Sequence, residues 1–170
     1  RILIRTNHIK GERKRMKKTV AESRTEQVFI VRADHLNGYN RLFGGQLMMW
    51  IDELAGVVAR RHTGLNVTTA TVDNLSFKAP AYVNDLVVLV GKVTYVGTTS
   101  LEVGVEAHVE HADGSRKDIN KAHLVMVAID DKGKPIPVPG LELVTEEDRA
   151  EWEDAQTRFM LRRERRIAGI

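Results

Sequence analysis

The spacing of hydrophobic positions changes twice along the chain. Residues 27–32 (Gln-Val-Phe-Ile-Val-Arg) form a short β-branched and aromatic run that predicts a first strand. An irregular stretch follows, with Asn37, Gly38, Asn40, Gly44 and Gly45 as turn formers. From Gln46 to His62 the period becomes helical: Leu47, Ile51, Leu54, Ala55, Val58 and His62 recur at three- and four-residue spacing. Met48, Trp50, Val57 and Ala59 widen the apolar surface most of the way round, so this helix is expected to lie buried in the core.

After Gly64 the period becomes strand-like. Val67 to Val72 is rich in Thr and Val, Leu75 to Phe77 continues the pattern, and Ala79-Pro80 ends it. Residues 86–96, 100–110 and 118–129 predict three long strands, separated by the hairpin signals Gly97-Thr98 and Asp113-Gly114. Alternation is clearest where Leu101, Val103, Val105, Ala107 and Val109 are set against Glu102, Glu106, His108 and Glu110, giving one dry and one wet face. Pro135, Pro137 and Pro139 mark an extended segment that cannot continue a central strand. Thr145 and Asp148 form a capping-box pattern opening a helix to about Ile167, acidic first and basic last as the helix dipole favours. The order predicts an α+β fold in which an antiparallel sheet wraps one long central helix, with a second helix at the C-terminal end.

Length and charge refine this picture. A chain of 170 residues accommodates one domain with a proper core. The absence of cysteine removes disulfides, thiol nucleophiles and thiolate metal sites. The net charge of +3 hides a division: residues 1–18 and 158–170 are basic, whereas residues 19–157 carry 13 Lys/Arg against 21 Asp/Glu. Basic ends on an acidic body read as solvated termini, and nucleic acid is not an expected partner. Residues 1–23 are expected to form a disordered basic extension, residues 24–143 the domain and residues 144–170 the terminal helix. No run approaches the roughly 18 apolar residues of a membrane span, and no signal peptide is visible, so a cytoplasmic location is expected.

Several chemistries find no support in the sequence. It contains no G-x-S-x-G elbow, no Walker A loop and no G-x-G-x-x-G opening a helix after a strand. His108 and His111 are at odd spacing, and His8, His35 and His123 have no second ligand nearby, so no metal is expected. What remains lies in residues 35–62. Asp52 sits mid-helix among apolar residues, where a carboxylate needs either a task or a partner; an exposed stripe or an ion pair would equally account for it. Gly44-Gly45 opens the helix, where unpaired N–H groups and the dipole can stabilise an oxyanion, or where glycine merely makes the turn. Asn37 can offer an amide to the same oxygen or serve as a turn residue. Arg60, Arg61 and Lys78 are cations near this region that also read as ordinary surface charges.

The segment from His35 to Gly56, with Asn37, Leu42-Phe43-Gly44-Gly45 and Asp52, closely resembles the signature of the hot-dog-fold acyl-CoA thioesterases, in the small bacterial acyl-CoA hydrolase group related to brain acyl-CoA hydrolase. The resemblance continues through residues 69–77, Val96 to Val103 and Pro135 to Pro139, covering about residues 24–166. It implies a hot-dog fold and hydrolysis of acyl-CoA to fatty acid and coenzyme A without a cofactor. Asp52 would be general base or nucleophile, with Asn37 from a facing subunit and Gly44 and Gly45 at the helix entry. Coenzyme A also brings phosphates, for which Arg60, Arg61 and Lys78, with Thr99 and Ser100, are the candidate contacts in this sequence. It also implies homodimers with shared sites, three of them forming a hexamer. Two alternatives fit the sequence less well: a hot-dog dehydratase or hydratase, because no His stands at the helix entry, and a non-catalytic acyl-CoA-binding regulator, because few residues precede the first strand. Acyl chain length is not legible in these patterns.

Overall fold

The computed structural model describes residues 16–169. Five strands form one antiparallel sheet: β2 (Thr25–Ile30), β3 (Asn66–Phe77), β4 (Leu86–Val96), β5 (Ser100–Glu110) and β6 (Arg116–Ile129), in the order β2-β4-β5-β6-β3. The two hairpin signals work as expected. Gly97 N donates to Ser100 O at 2.8 Å in one turn, and Gly114 takes a φ of 81° in the other.

The helix α2 (Gly44–Thr63) packs on one face of this sheet and ends at Gly64, whose left-handed φ of 65° closes it. Ile51, Leu54, Ala55 and Val58 meet Val87, Leu89, Leu101, Val103, Val105 and Leu124 in a fully enclosed core. Gly91 permits the closest approach, since a Cβ there would lie 2.9 Å from Val58 Cγ2. The helix is not buried all round as its composition suggested. One sheet covers one face only, so Met48, Met49, Asp52 and Glu53 on the other face remain exposed.

Helix α3 (Glu146–Ala168) crosses the opposite face of the sheet. Its capping box is formed: Asp148 N donates to Thr145 Oγ1 at 3.0 Å and Thr145 N donates to Asp148 Oδ2 at 3.1 Å. Trp152 and Phe159 pack on Tyr95 with ring centroids 4.6 and 5.3 Å apart. Charge completes the docking, through Lys92 with Glu147 and Arg158 with Glu102.

Residues 17–23 depart from the expected disordered extension. β1 (Lys17–Thr19) pairs in parallel with β7 (Gly140–Glu142), and the short α1 (Val20–Ser23) buries Val20 and Ser23. The proline segment is what permits this. Ile136 N and Val138 N bond to Ala128 O and Thr98 O, returning the chain to where β7 can meet β1. Residues 1–15 lie outside the described residues.

Candidate active site

Asp52 lies on the uncovered side of α2, opposite the edge strand β3. Thr69 Oγ1 donates to Asp52 Oδ1 at 2.6 Å, a short charge-assisted bond, and approaches Met126 Sδ at 3.5 Å. Asp52, Glu53, Gly56, Arg60, Thr69 and Met126 are among the residues lining an open cavity of about 520 Å³ between helix and strand. Among the described residues the mid-helix carboxylate has no ion pair; it faces a cavity and accepts from a hydroxyl.

No sequence signal distinguishes Thr69 from its neighbours. The run Thr68-Thr69-Ala70-Thr71 offers three candidates, and a register break between Thr69 and Thr71 determines which faces the helix. Sequence alternation alone cannot locate that break.

The helix ladder of α2 starts with Leu47 N bonding to Phe43 O at 3.1 Å, and Phe43 provides no side-chain cap. The N–H groups of Gly44, Gly45 and Gln46 thus precede the ladder and point out of the helix start. Aromatic rings lie over both glycines: a Cβ on Gly45 would sit 2.5 Å from Phe43 Cε1, and one on Gly44 3.2 Å from Phe77 Cζ.

Asn37 anchors its own loop. Its Oδ1 accepts from Tyr39 N at 2.9 Å and Arg41 N at 3.3 Å, while its amide NH2 makes no hydrogen bond among the described residues. Within one chain it makes no hydrogen bond to Asp52. His35 likewise has a packing role, edge-on to Trp50 at 5.0 Å, with its Nδ1 accepting from Arg32 N at 3.1 Å.

The cations separate. Arg60 lines both the Asp52 cavity and an adjoining hollow of about 530 Å³ containing Asn66, Asp130 and Asp131. Arg61 turns the other way, donating to Thr25 Oγ1 at 2.9 Å, and Lys78 lies 3.8 Å from Asp118 Oδ2. Neither lines the Asp52 cavity. Thr99 and Ser100 line a different cavity, of about 770 Å³, on the α3 side of the sheet, which Arg162, Arg163, Arg165 and Arg166 edge with positive charge. Among the described residues no group of three or more His, Asp or Glu is gathered as a metal site. No described helix is long and apolar enough to cross a membrane.

Comparison with known proteins identifies the family. Residues 39–114 match the thioesterase superfamily model. The uncharacterized acyl-CoA thioester hydrolase YkhA of Bacillus subtilis is 42% identical over 113 residues, 66% of each chain. The match to the cytosolic acyl coenzyme A thioester hydrolase of Rattus norvegicus, 29% identical, spans 84% of this chain but 38% of that protein. Relatives of the latter kind are thus more than twice as long as the region they share with it. Among solved structures, acyl-CoA hydrolase from Staphylococcus aureus, in complex with butyryl coenzyme A and coenzyme A, superposes with a TM-score of 0.86 at 32% identity, covering 90% of this chain and 94% of that one. An apo-hexameric acyl-CoA thioesterase gives 0.85 at 38% identity, over 88% and 97%. A sheet curled on one long helix, the match over residues 39–114 and these near full-length superpositions together establish that the chain belongs to the thioesterase superfamily of hot-dog proteins.

Proposed function

We propose that the protein hydrolyses acyl-coenzyme A thioesters at Asp52, and the observation that carries this reading is the 2.6 Å bond from Thr69 to that carboxylate beside an open cavity. Variants of the Staphylococcus aureus hydrolase have been solved with an asparagine, an aspartate and a threonine each changed to alanine. Their spacing, 15 residues from asparagine to aspartate and 17 from aspartate to threonine, is that of Asn37, Asp52 and Thr69 here.

The chemistry needs a nucleophile and a stabiliser of charge on the carbonyl oxygen. Asp52 takes a proton from water, whose oxygen bonds the acyl carbon, or bonds that carbon itself to form a mixed anhydride that water then opens. In either route the carbon–sulfur bond breaks, the electron pair leaves with sulfur, and the thiolate is protonated to free coenzyme A. The N–H groups at Gly44 and Gly45 supply dipoles for the oxyanion. Water is the only co-reactant, and no metal or other cofactor takes part.

The Asn37 amide, without a hydrogen bond among the described residues, supports a shared site, in which Asn37 of one subunit serves Asp52 of another. The exposed edge strand β3 supports sheet pairing between two copies, and the hexameric relative supports three such dimers. The arginine-edged cavity holding Thr99 and Ser100 suits coenzyme A phosphates, and a cytoplasmic location fits a coenzyme A substrate.

The test is thiol release from acetyl-, butyryl- and lauroyl-CoA by the purified protein, with and without a chelator. Release of free thiol with all or some of these, undiminished by chelation, is expected. No release from any acyl-CoA, or activity abolished by chelation and restored by zinc, overturns the proposal.

A further inference from the structure

Thr69 and Asp73 are four residues apart on β3, a separation that puts both side chains on one face of a regular strand. They nevertheless face opposite ways. Thr69 reaches Asp52 on the α2 side, whereas Asp73 accepts from Arg162 Nη1 at 3.2 Å on the α3 side. The register break reconciles them: Thr69 pairs with Met126, Thr71 with Val125, and Ala70 is the extra residue. The bulge is therefore demanded by both contacts at once. β3 is also an edge, bonded only to β6 among the described strands, and a slip of one residue turns every following side chain over.

What resists that slip comes from behind the sheet. Arg162 Nη1 lies 2.6 Å from Glu102 Oε2, as well as within reach of Asp73, so it bridges the central strand β5 to the edge. Glu102 is itself immobilised, 1% exposed, accepting from Thr94 Oγ1 at 2.8 Å and from Arg158 Nη2 at 2.8 Å. Arg162 and Asp73 have side chains only 12% and 10% exposed, so solvent screens the pair little. Arg165 stands farther off, 3.7 Å from Asp73. The strand neighbour of Asp73, His123, has no hydrogen-bond partner among the described residues at either buried ring nitrogen and so gives Asp73 no alternative anchor.

We propose that Arg162 is a positioning residue for the site: by holding Asp73 outward it fixes the bulge at Ala70 and so keeps Thr69 turned toward Asp52. This rests on the reading of Asp52 and Thr69 given above.

The experiment compares Arg162→Met, Asp73→Asn and Arg162→Lys in the full chain, by hydrogen exchange of peptides and by hydrolysis of butyryl-CoA. Arg162→Met is expected to speed exchange across residues 66–77 while residues 100–110 stay protected. Its kcat should fall about tenfold with KM within about twofold, since small misplacements act on the chemical step. Arg162→Lys, which keeps one charged donor, should recover part of kcat. Combining Arg162→Met with Thr69→Val should cost less than about a further twofold, because both remove the same contact. Unchanged exchange in 66–77, or fully multiplicative losses in the double variant, overturns the proposal. Should Arg162→Met fail to fold, Asp73→Asn carries the same test without disturbing Glu102. Retained turnover in Asp52→Asn would sink the site reading, with the exchange data still deciding whether Arg162 pins the strand. An inactive Asp52→Asn beside an Arg162→Met unchanged in both readouts would sink only the pinning.

Discussion

At Asp52 a single oxygen carries the proposed chemistry, and its environment separates roles that substitution can tell apart. Asp52→Asn keeps size and shape but can neither accept a proton nor attack, so kcat should fall at least about a hundredfold with the fold intact. Activity above about a tenth of wild type in thiol-release assays would contradict this. Asn37 presents the opposite problem, because its Oδ1 builds a loop while its NH2 makes no hydrogen bond among the described residues. Asn37→Asp preserves the acceptor that Tyr39 and Arg41 need but removes the donor. It should keep wild-type thermal stability and lose most turnover, whereas a purely structural asparagine would leave turnover intact.

The two long helices meet the sheet by different means, and this sets what disturbs each. α2 is seated by shape. Gly91→Ala would place a methyl 2.9 Å from Val58 Cγ2 and 3.2 Å from Leu54 Cγ, an overpacking expected to cost about 1–3 kcal/mol. The check is a lowered urea midpoint at unchanged m. α3 is seated by aromatic packing on Tyr95 and by charge. Burial pushes Glu102 up, but Arg158, Thr94 and Arg162 outweigh it and hold the carboxyl below its ordinary 4.5. Its stabilising contribution is present above that value and is lost as pH falls through the lowered one. Burial also pushes His62 and His123 below their ordinary 6.5, so the unfolded chain takes up protons that the folded chain refuses. Stability should therefore decline first below about pH 6.5 and again below about pH 4.5. His123→Leu should flatten the first decline in urea titrations; an unchanged slope would show that His123 does not contribute.

On the scale of the whole molecule, the isolated chain leaves unfinished edges. Among the described residues β3 offers an unpaired strand edge, and Phe43, Met48, Met49, Val72 and Phe77 are each at least 42% exposed. Unpaired backbone and exposed apolar side chains together mark a surface suited to association. If a second copy covers it and Asn37 then serves the neighbour's Asp52, two inactive variants should complement. Asn37→Ala mixed with Asp52→Ala by co-refolding gives dimers with one doubly defective site and one intact site. Substantial turnover is expected from the mixture. Mixed dimers confirmed by mass spectrometry but inactive would place both residues of each site in one chain.

The sequence by itself determined the elements and their order. Periods of 3.6 and 2 are local properties, so the helix at 44–63, the strands at 86–96 and 100–110 and the cap at Thr145 were all legible from side-chain spacing. The motif around Asn37, Gly44-Gly45 and Asp52, which carries the family resemblance and on which the proposed site rests, occupies one short segment and so is read without the fold. Contacts between distant segments were decided only by the tertiary structure. Thr69 meets Asp52 because a bulge at Ala70 inverts the alternation of β3, and bulges leave no mark in the period. Arg61 and Lys78 lie close in sequence to the site yet point elsewhere, since helix rotation and strand register set direction. Lys17 to Thr19 read as a charged tail, but pairing with Gly140 to Glu142 depends on a return of the chain more than a hundred residues later. Periodicity records which face a residue prefers; which residue waits on that face is a property of the folded chain alone.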